Sequence, residues 1–341
     1  MSAPDADRKQ AIEIASALAG DVVEVVPLAG GGRNSRIWHV RNGCQEFALK
    51  QYPSRQDDPR DRLGTEVDAL RLMERYGIET VPRVVAFDAA RGYALLSWID
   101  GQPMLEVDHG DIDAAIGFLA AIHRLRVTAD AAQQPFAAEA CLCGQEIERQ
   151  ILARLDELRR VAVRETQLIE FISDFFNPLL SKATESARKQ IAEAGLDFNA
   201  QLPRNRCSLV PSDFGFHNCL RRSDGSLAFV DFEYFGWDDP VKLTADILLH
   251  PAKPLDRAQR LQFRQAAIAL YADDPQFSHR LSAYLPLFGL RWVLIMLNEF
   301  IPERWRRRVL AGDLGSWSDA KARQLTRARE FLSSLPEKQA N

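Results

Sequence analysis

Asp213, Asn218 and Asp231 are the side chains whose types and spacing suit magnesium and phosphate chemistry, and all three fall in PSDFGFHNCLRRSDGSLAFVDFEYFGWDDP, Pro211 to Pro240. Asp213 and Asn218 share a loop rich in Gly and aromatic residues, and Asp231 closes the apolar run Leu227 to Val230. Cys219 to Arg222 and Leu227 to Val230 predict two short strands joined at Ser223-Asp224-Gly225, a turn composition that favours a hairpin. Such a hairpin returns Asp231 to the side of Asn218. Two oxygen ligands converging from a loop and a strand end would hold a hard cation against phosphate groups, leaving Asp213 to face an incoming hydroxyl. The plainer alternative makes Asp213 and Asp231 turn-forming acids at strand ends, where Asp is common.

The elements upstream supply the rest of such a site. Arg8 to Leu18 has helical periodicity, and Val22 to Leu28 predicts a strand that runs into Ala29-Gly30-Gly31-Gly32-Arg33-Asn34-Ser35. Glycines there let backbone amides approach phosphate oxygens as an anion nest, although three glycines between strands also suit a flexible hairpin. Arg36 to Val40 and Glu46 to Gln51 are predicted strands joined at Asn42-Gly43, a strong hairpin signal. Alternation puts Ala48 and Lys50 on one face, and a buried lysine needs a partner. Glu66 is the candidate, on a helix predicted over Leu63 to Tyr76. The alternatives are an edge-strand lysine and an exposed helical acid. Thr80 to Asp88 and Tyr93 to Ile99 add two strands, and Asp100-Gly101-Gln102-Pro103 breaks the pattern.

In this order, the glycine turn, the strand lysine, the helix glutamate and the Asp213, Asn218, Asp231 series resemble the kinase-like small-molecule phosphotransferases, the superfamily of aminoglycoside phosphotransferases and choline kinases. The resemblance spans Val22 to Leu249 and is strongest from Asp213 to Pro240. It implies an α+β, bilobal protein-kinase-like fold: a nucleotide-binding lobe over 1–100, with an antiparallel sheet and one helix, and a mainly helical catalytic and acceptor-binding lobe over 101–341. It implies Asp213 as catalytic base and Asn218 and Asp231 as Mg²⁺ ligands. Gly30, Gly31, Gly32, Asn34 and Ser35 would cover the phosphates of ATP or GTP, Lys50 and Glu66 would set the nucleotide, and Ser97, Trp98 and Ile99 would meet the base. The acceptor would be an alcohol on a sugar, an amino alcohol or a lipid-linked molecule. A nucleotide-binding regulatory protein without turnover is the rival reading. Three departures stand out: Pro211-Ser212 replaces the usual His-Gly, His217 replaces a glycine, and Lys242 lies near the place of an aspartate, with Asp246 further on. Glu233 is a candidate to extend the metal site.

Bulk properties narrow the field. The chain has 341 residues, a net charge of −4 and a pI near 5.9, with no global basic field for nucleic acid. Its five cysteines lack a paired framework or zinc-like spacing, and the polar N-terminus lacks a signal-peptide pattern, so the cytoplasm is the expected compartment. Leu285 to Met296, interrupted by Arg291, is too short to span a membrane and predicts a buried helix. Helices are also predicted over Ile112 to Leu125, Glu146 to Arg160, Gln167 to Ala194, Val241 to Leu249, Arg257 to Tyr271, His279 to Phe300 and Ala320 to Leu332. His123 is expected to be packed rather than catalytic, and Trp305-Arg306-Arg307-Arg308 to be a solvated helix face.

Overall fold

The computed structural model describes residues 3–20, 24–28, 35–55, 58–310 and 315–339. Helix α1 (Ala3–Ala19) leads to strand β1 (Glu24–Pro27), then β2 (Arg36–Asn42) and β3 (Gln45–Gln51), helix α2 (Arg62–Arg75), and strands β4 (Val84–Asp88) and β5 (Tyr93–Ser97). The strands form one antiparallel sheet in the order β1-β2-β3-β5-β4. The β2–β3 turn closes on the pair Asn42 and Gln45, with Gly43 at φ +58°, a left-handed conformation that costs glycine little.

Alternation divides the sheet into two apolar faces. Trp38, Val40, Phe47, Leu49, Tyr93 and Leu95 point one way and are covered by Ala11, Ile14 and Ala15 of α1. Ala94 and Leu96 point the other way, toward Leu63, Val67 and Leu70 of α2. One helix is expected against this sheet. The structure has two, because a sheet apolar on both faces must be covered on both.

The rest of the chain is mainly helical. Its strands are β6 (Gln102–Pro103), β7 (Ser208–Val210), β8 (Cys219–Arg221), β9 (Leu227–Phe229) and β10 (Gly236–Asp238), paired as β6-β8-β9 and β7-β10. Its helices are α3 (His109–Leu125), α4 (Ala129–Ala132), α5 (Gly144–Ala162), α6 (Thr166–Glu170), α7 (Asn177–Glu193), α8 (Pro240–Leu249), α9 (Arg257–Leu270), α10 (Phe277–Met296), α11 (Pro302–Leu310) and α12 (Trp317–Gln339). The single helix predicted over 167–194 is divided by a π-helical turn, Phe171–Phe176, a widening that 3.6-residue periodicity does not signal.

Helix α10 is the centre of this part and packs against α5, α7, α8 and α12. Phe277–Phe300 is long and apolar enough to cross a membrane, but 72% of its apolar window is buried inside the fold. Arg291 within it is buried and tied to Glu139 at 2.6 Å, so the charge that interrupts the apolar run is internal. The basic cluster is solvated at Arg306, as expected, and departs from a solvated face at Trp305 and Arg308. Trp305 is buried and stacks on Trp317 at 6.4 Å, Arg308 meets Glu299 at 2.7 Å, and Arg306 pairs with Glu303 at 2.9 Å.

Candidate active site

The two aspartates of the site are each followed by a buried phenylalanine that anchors its loop. Phe214 follows Asp213, Phe232 follows Asp231, and Phe229 ends β9. All three converge on Phe118 of α3, with ring centroids 5.6, 6.0 and 4.2 Å away respectively. Burying four such rings fixes both loops against one helix, and the aromatic pairs add about 0.5–1.5 kcal/mol each beyond the buried area. Sequence reading missed Phe118, whose only signal is an apolar position on an amphipathic helix. The β8–β9 hairpin forms as expected, with Cys219 opposite Phe229 and Gly225 at φ +85°. Beyond it, the Val230 amide donates to Asn218 O at 3.0 Å, which brings Asp231 beside Asn218.

Lys50 joins the two parts of the chain. Its Nζ lies 2.6 Å from Glu66 Oε2, 2.7 Å from Asp231 Oδ1 and 3.5 Å from Glu233 Oε2. Helix α2 aims Glu66 inward because Leu63, Val67 and Leu70 lie on the same face. Glu66 is held from two further sides, since the Tyr52 hydroxyl donates to Oε2 at 2.7 Å and the Phe232 amide to Oε1 at 3.1 Å. Glu233 accepts from Ser35 Oγ at 3.1 Å and from Arg62 at 2.6 Å, and Arg62 is gripped in turn by Asp58. Burial works against the charge of Lys50, but Asp231 and Glu66 outweigh it and keep the ammonium protonated. Burial raises the Asp231 carboxyl; Lys50 opposes that rise, and Glu233 and Glu66 add to it. Asp231 also sits at φ +74°, a strained conformation for a residue with a Cβ. Glu66, Asp231 and Glu233 form a group of carboxylates close enough to share one cation.

Asp213 has partners of its own. His217 Nε2 lies 3.3 Å from Asp213 Oδ1, and the Asn218 side-chain amide donates to Asp213 O at 2.9 Å. That bond engages the nitrogen end of the Asn218 amide, whose carbonyl oxygen is the end able to act as a ligand. The His217 ring stacks on His250 at 4.1 Å, and a Cβ on Gly215 would stand only 2.9 Å from its Nδ1. With Nδ1 packed against Gly215 and unpartnered, Nε2 is the ring nitrogen that carries a proton toward Asp213. Burial alone would raise the Asp213 carboxyl; the hydrogen bond from His217 and the charges of His217, His250 and Lys242 hold it below its ordinary value. Asp213, His217 and His250 are near enough to suggest a metal site. Two rings stacked at 10° cannot aim their in-plane lone pairs at one ion, so the arrangement orients a carboxylate instead.

The remaining candidates divide. Ser35 reaches the cluster through Glu233, whereas Gly30, Gly31, Gly32 and Asn34 lie outside the described residues. At the end of β5, the Ser97 hydroxyl accepts from the Arg83 amide at 2.9 Å, Trp98 stacks on His39 at 3.9 Å, and Ile99 is buried. His39 faces the same side of the sheet as Ala48, its cross-strand partner on β3, and so the same side as Lys50. His123 is packed, with its Nδ1 2.9 Å from Ser208 Oγ and its ring edge-on to Tyr271; burial lowers its pKa. The five cysteines are free, and burial raises the thiols of Cys141, Cys207 and Cys219.

A family model described as the phosphotransferase enzyme family matches residues 24–279. No curated protein matches the sequence. Among solved structures, choline kinase LicA from Streptococcus pneumoniae superposes with a TM-score of 0.58 at 16% identity, over 96% of this chain and 99% of that one. A choline/ethanolamine kinase family protein from Mesorhizobium loti gives 0.58 at 17% identity, over 99% and 98%. Spectinomycin phosphotransferase APH(9)-Ia, solved with ADP and spectinomycin, gives 0.58 at 10% identity, over 95% and 98%. At these identities the likeness shows the fold, which is α+β and kinase-like.

Proposed function

Because this chain belongs to the phosphotransferase enzyme family, we propose that it moves the γ-phosphate of ATP or GTP to a hydroxyl of a small molecule, with Mg²⁺ as cofactor. The observation that carries this reading is the Lys50 cluster, which joins Glu66 and Asp231 within 2.7 Å on one ammonium while Asp213 stands apart with its own partner. The Asn218 carbonyl oxygen and the Asp231 carboxylate are hard donors that fit Mg²⁺, and Glu233 is close enough to extend the set. When bound, Mg²⁺ would neutralise charge on the phosphate oxygens.

The chain's own residues then divide the work. Lys50, steadied by Glu66, meets the nucleotide phosphates. Gly30, Gly31, Gly32, Asn34 and Ser35 cover them, and Ser97, Trp98 and Ile99 border the base. Asp213 accepts or orients the proton of the acceptor hydroxyl, and His217 occupies one carboxylate oxygen so that the other faces the acceptor. A loose transition state needs positioning and charge compensation above all, and these residues supply both. An Asp231 carboxylate held by Lys50 and an Asp213 carboxylate held separately by His217 favour turnover over a regulatory protein that only binds nucleotide.

Calorimetry with Mg-ATP and Mg-GTP tests the reading. Binding that weakens when magnesium is chelated is expected, and no binding of either nucleotide by folded protein would end it.

A further inference from the structure

Two departures from the relatives' pattern meet in the fold. Ser212, which stands in the Pro211-Ser212 pair before Asp213, has its Oγ 3.3 Å from Nζ of Lys242 on α8 and donates to Ala138 O at 3.3 Å. Ser212 lies at φ +68°, a left-handed conformation that a residue with a Cβ holds only when its surroundings impose it. Lys242 is 2% exposed, so its ammonium has no route to solvent. Its Nζ donates to Ser212 Oγ and forms ion pairs with Asp246 Oδ2 at 3.3 Å and Asp238 Oδ2 at 3.8 Å.

Those partners are themselves fixed. Asp238 Oδ1 accepts from the amides of Cys141 at 2.7 Å and Asp239 at 2.8 Å. Asp246 lies 3.7 Å from Arg291, which holds Glu139 at 2.6 Å and Gln150 at 3.1 Å. Strand β10 and helix α8 thus supply the acids around one ammonium, helices α5 and α10 and the segment before α5 hold those acids in place, and the ammonium touches the residue immediately before Asp213.

We propose that Lys242 is a positioning residue for Asp213: it grips Ser212 in its left-handed conformation and so sets the direction of the acidic loop. The proposal rests on the phosphotransferase reading for the role of Asp213, while the brace itself is a property of the loop.

The test compares Ser212→Ala, Ser212→Gly and Ser212→Asn in the full chain. Alanine removes the oxygen that Lys242 holds but leaves the buried charges paired, so folding is retained. Glycine relieves the backbone strain without restoring an acceptor. Asparagine tolerates the left-handed region and offers Lys242 a side-chain oxygen. Hydrogen exchange of the segment 208–219 and hydrolysis of Mg-ATP, with water as acceptor, are measured alongside calorimetry with Mg-ATP. Ser212→Ala should speed exchange in that segment and lower the maximal hydrolysis rate about tenfold or more, with Mg-ATP affinity unchanged. Ser212→Asn should recover more of the rate than Ser212→Gly. Glycine matching or exceeding asparagine would mean that strain alone matters, and unchanged exchange in Ser212→Ala would remove the brace; either overturns the proposal. Wild-type protein that binds no Mg-ATP would instead strike the phosphotransferase reading, and the exchange comparison would still judge the brace.

Discussion

Replacing Lys50 with methionine keeps an unbranched side chain and removes the cation that Glu66, Asp231 and Glu233 share among the described residues. Breaking a buried ion pair from one side costs about 3–5 kcal/mol, because the partner stays buried and uncompensated. The lower end applies here. Glu66 keeps the Tyr52 hydroxyl and the Phe232 amide, Glu233 keeps Arg62, and the Asp231 side chain is 28% exposed and finds water. A loss of about 3 kcal/mol, against an unfolding entropy of about 2.1 cal/mol/K per residue over 341 residues, lowers Tm by about 4 °C. Urea and thermal unfolding with magnesium chelated would read that loss. Adding Mg²⁺ should then stabilise Lys50→Met more than the wild type, since the freed carboxylates bind a cation without a competing ammonium. A loss below about 1 kcal/mol, the size of an exposed pair, would refute the shared-cation account.

Three further outcomes are expected. Asp231→Asn should abolish most of the gain in nucleotide affinity that Mg²⁺ provides, as read by calorimetry, whereas Asp213→Asn should leave it nearly intact. With an acceptor in hand, Asp213→Asn should lower kcat by about a hundredfold to ten-thousandfold with a smaller change in acceptor KM; near-normal turnover would make Asp213 a structural loop acid. Gly236→Ala should destabilise by about 1–3 kcal/mol in urea unfolding. Its Cβ would stand 2.5 Å from Ala137 N and 2.6 Å from Pro135 O, backbone atoms that cannot turn aside.

What the sequence determined by itself is whatever a local signal encodes. Asn42-Gly43 and Ser223-Asp224-Gly225 specify turns through backbone preference, and both hairpins form. Periodicity placed α2 and α3 and turned Glu66 toward the sheet, so the contact of Lys50 with Glu66, 16 residues apart, was legible from strand alternation and helix facing together. The residue types at 213, 218 and 231 set the range of chemistry before any contact was known. Only the tertiary structure decided which distant side chains complete those groups. Glu233 meets Arg62 across 171 residues and Ser212 meets Lys242 across 30, on elements whose relative placement no periodicity records. The gathering of three phenylalanines on Phe118 and the cover that α1 gives the outer face of the sheet arise the same way. Apolar burial is non-directional, so a sequence announces that a face must be covered and leaves the fold to choose what covers it.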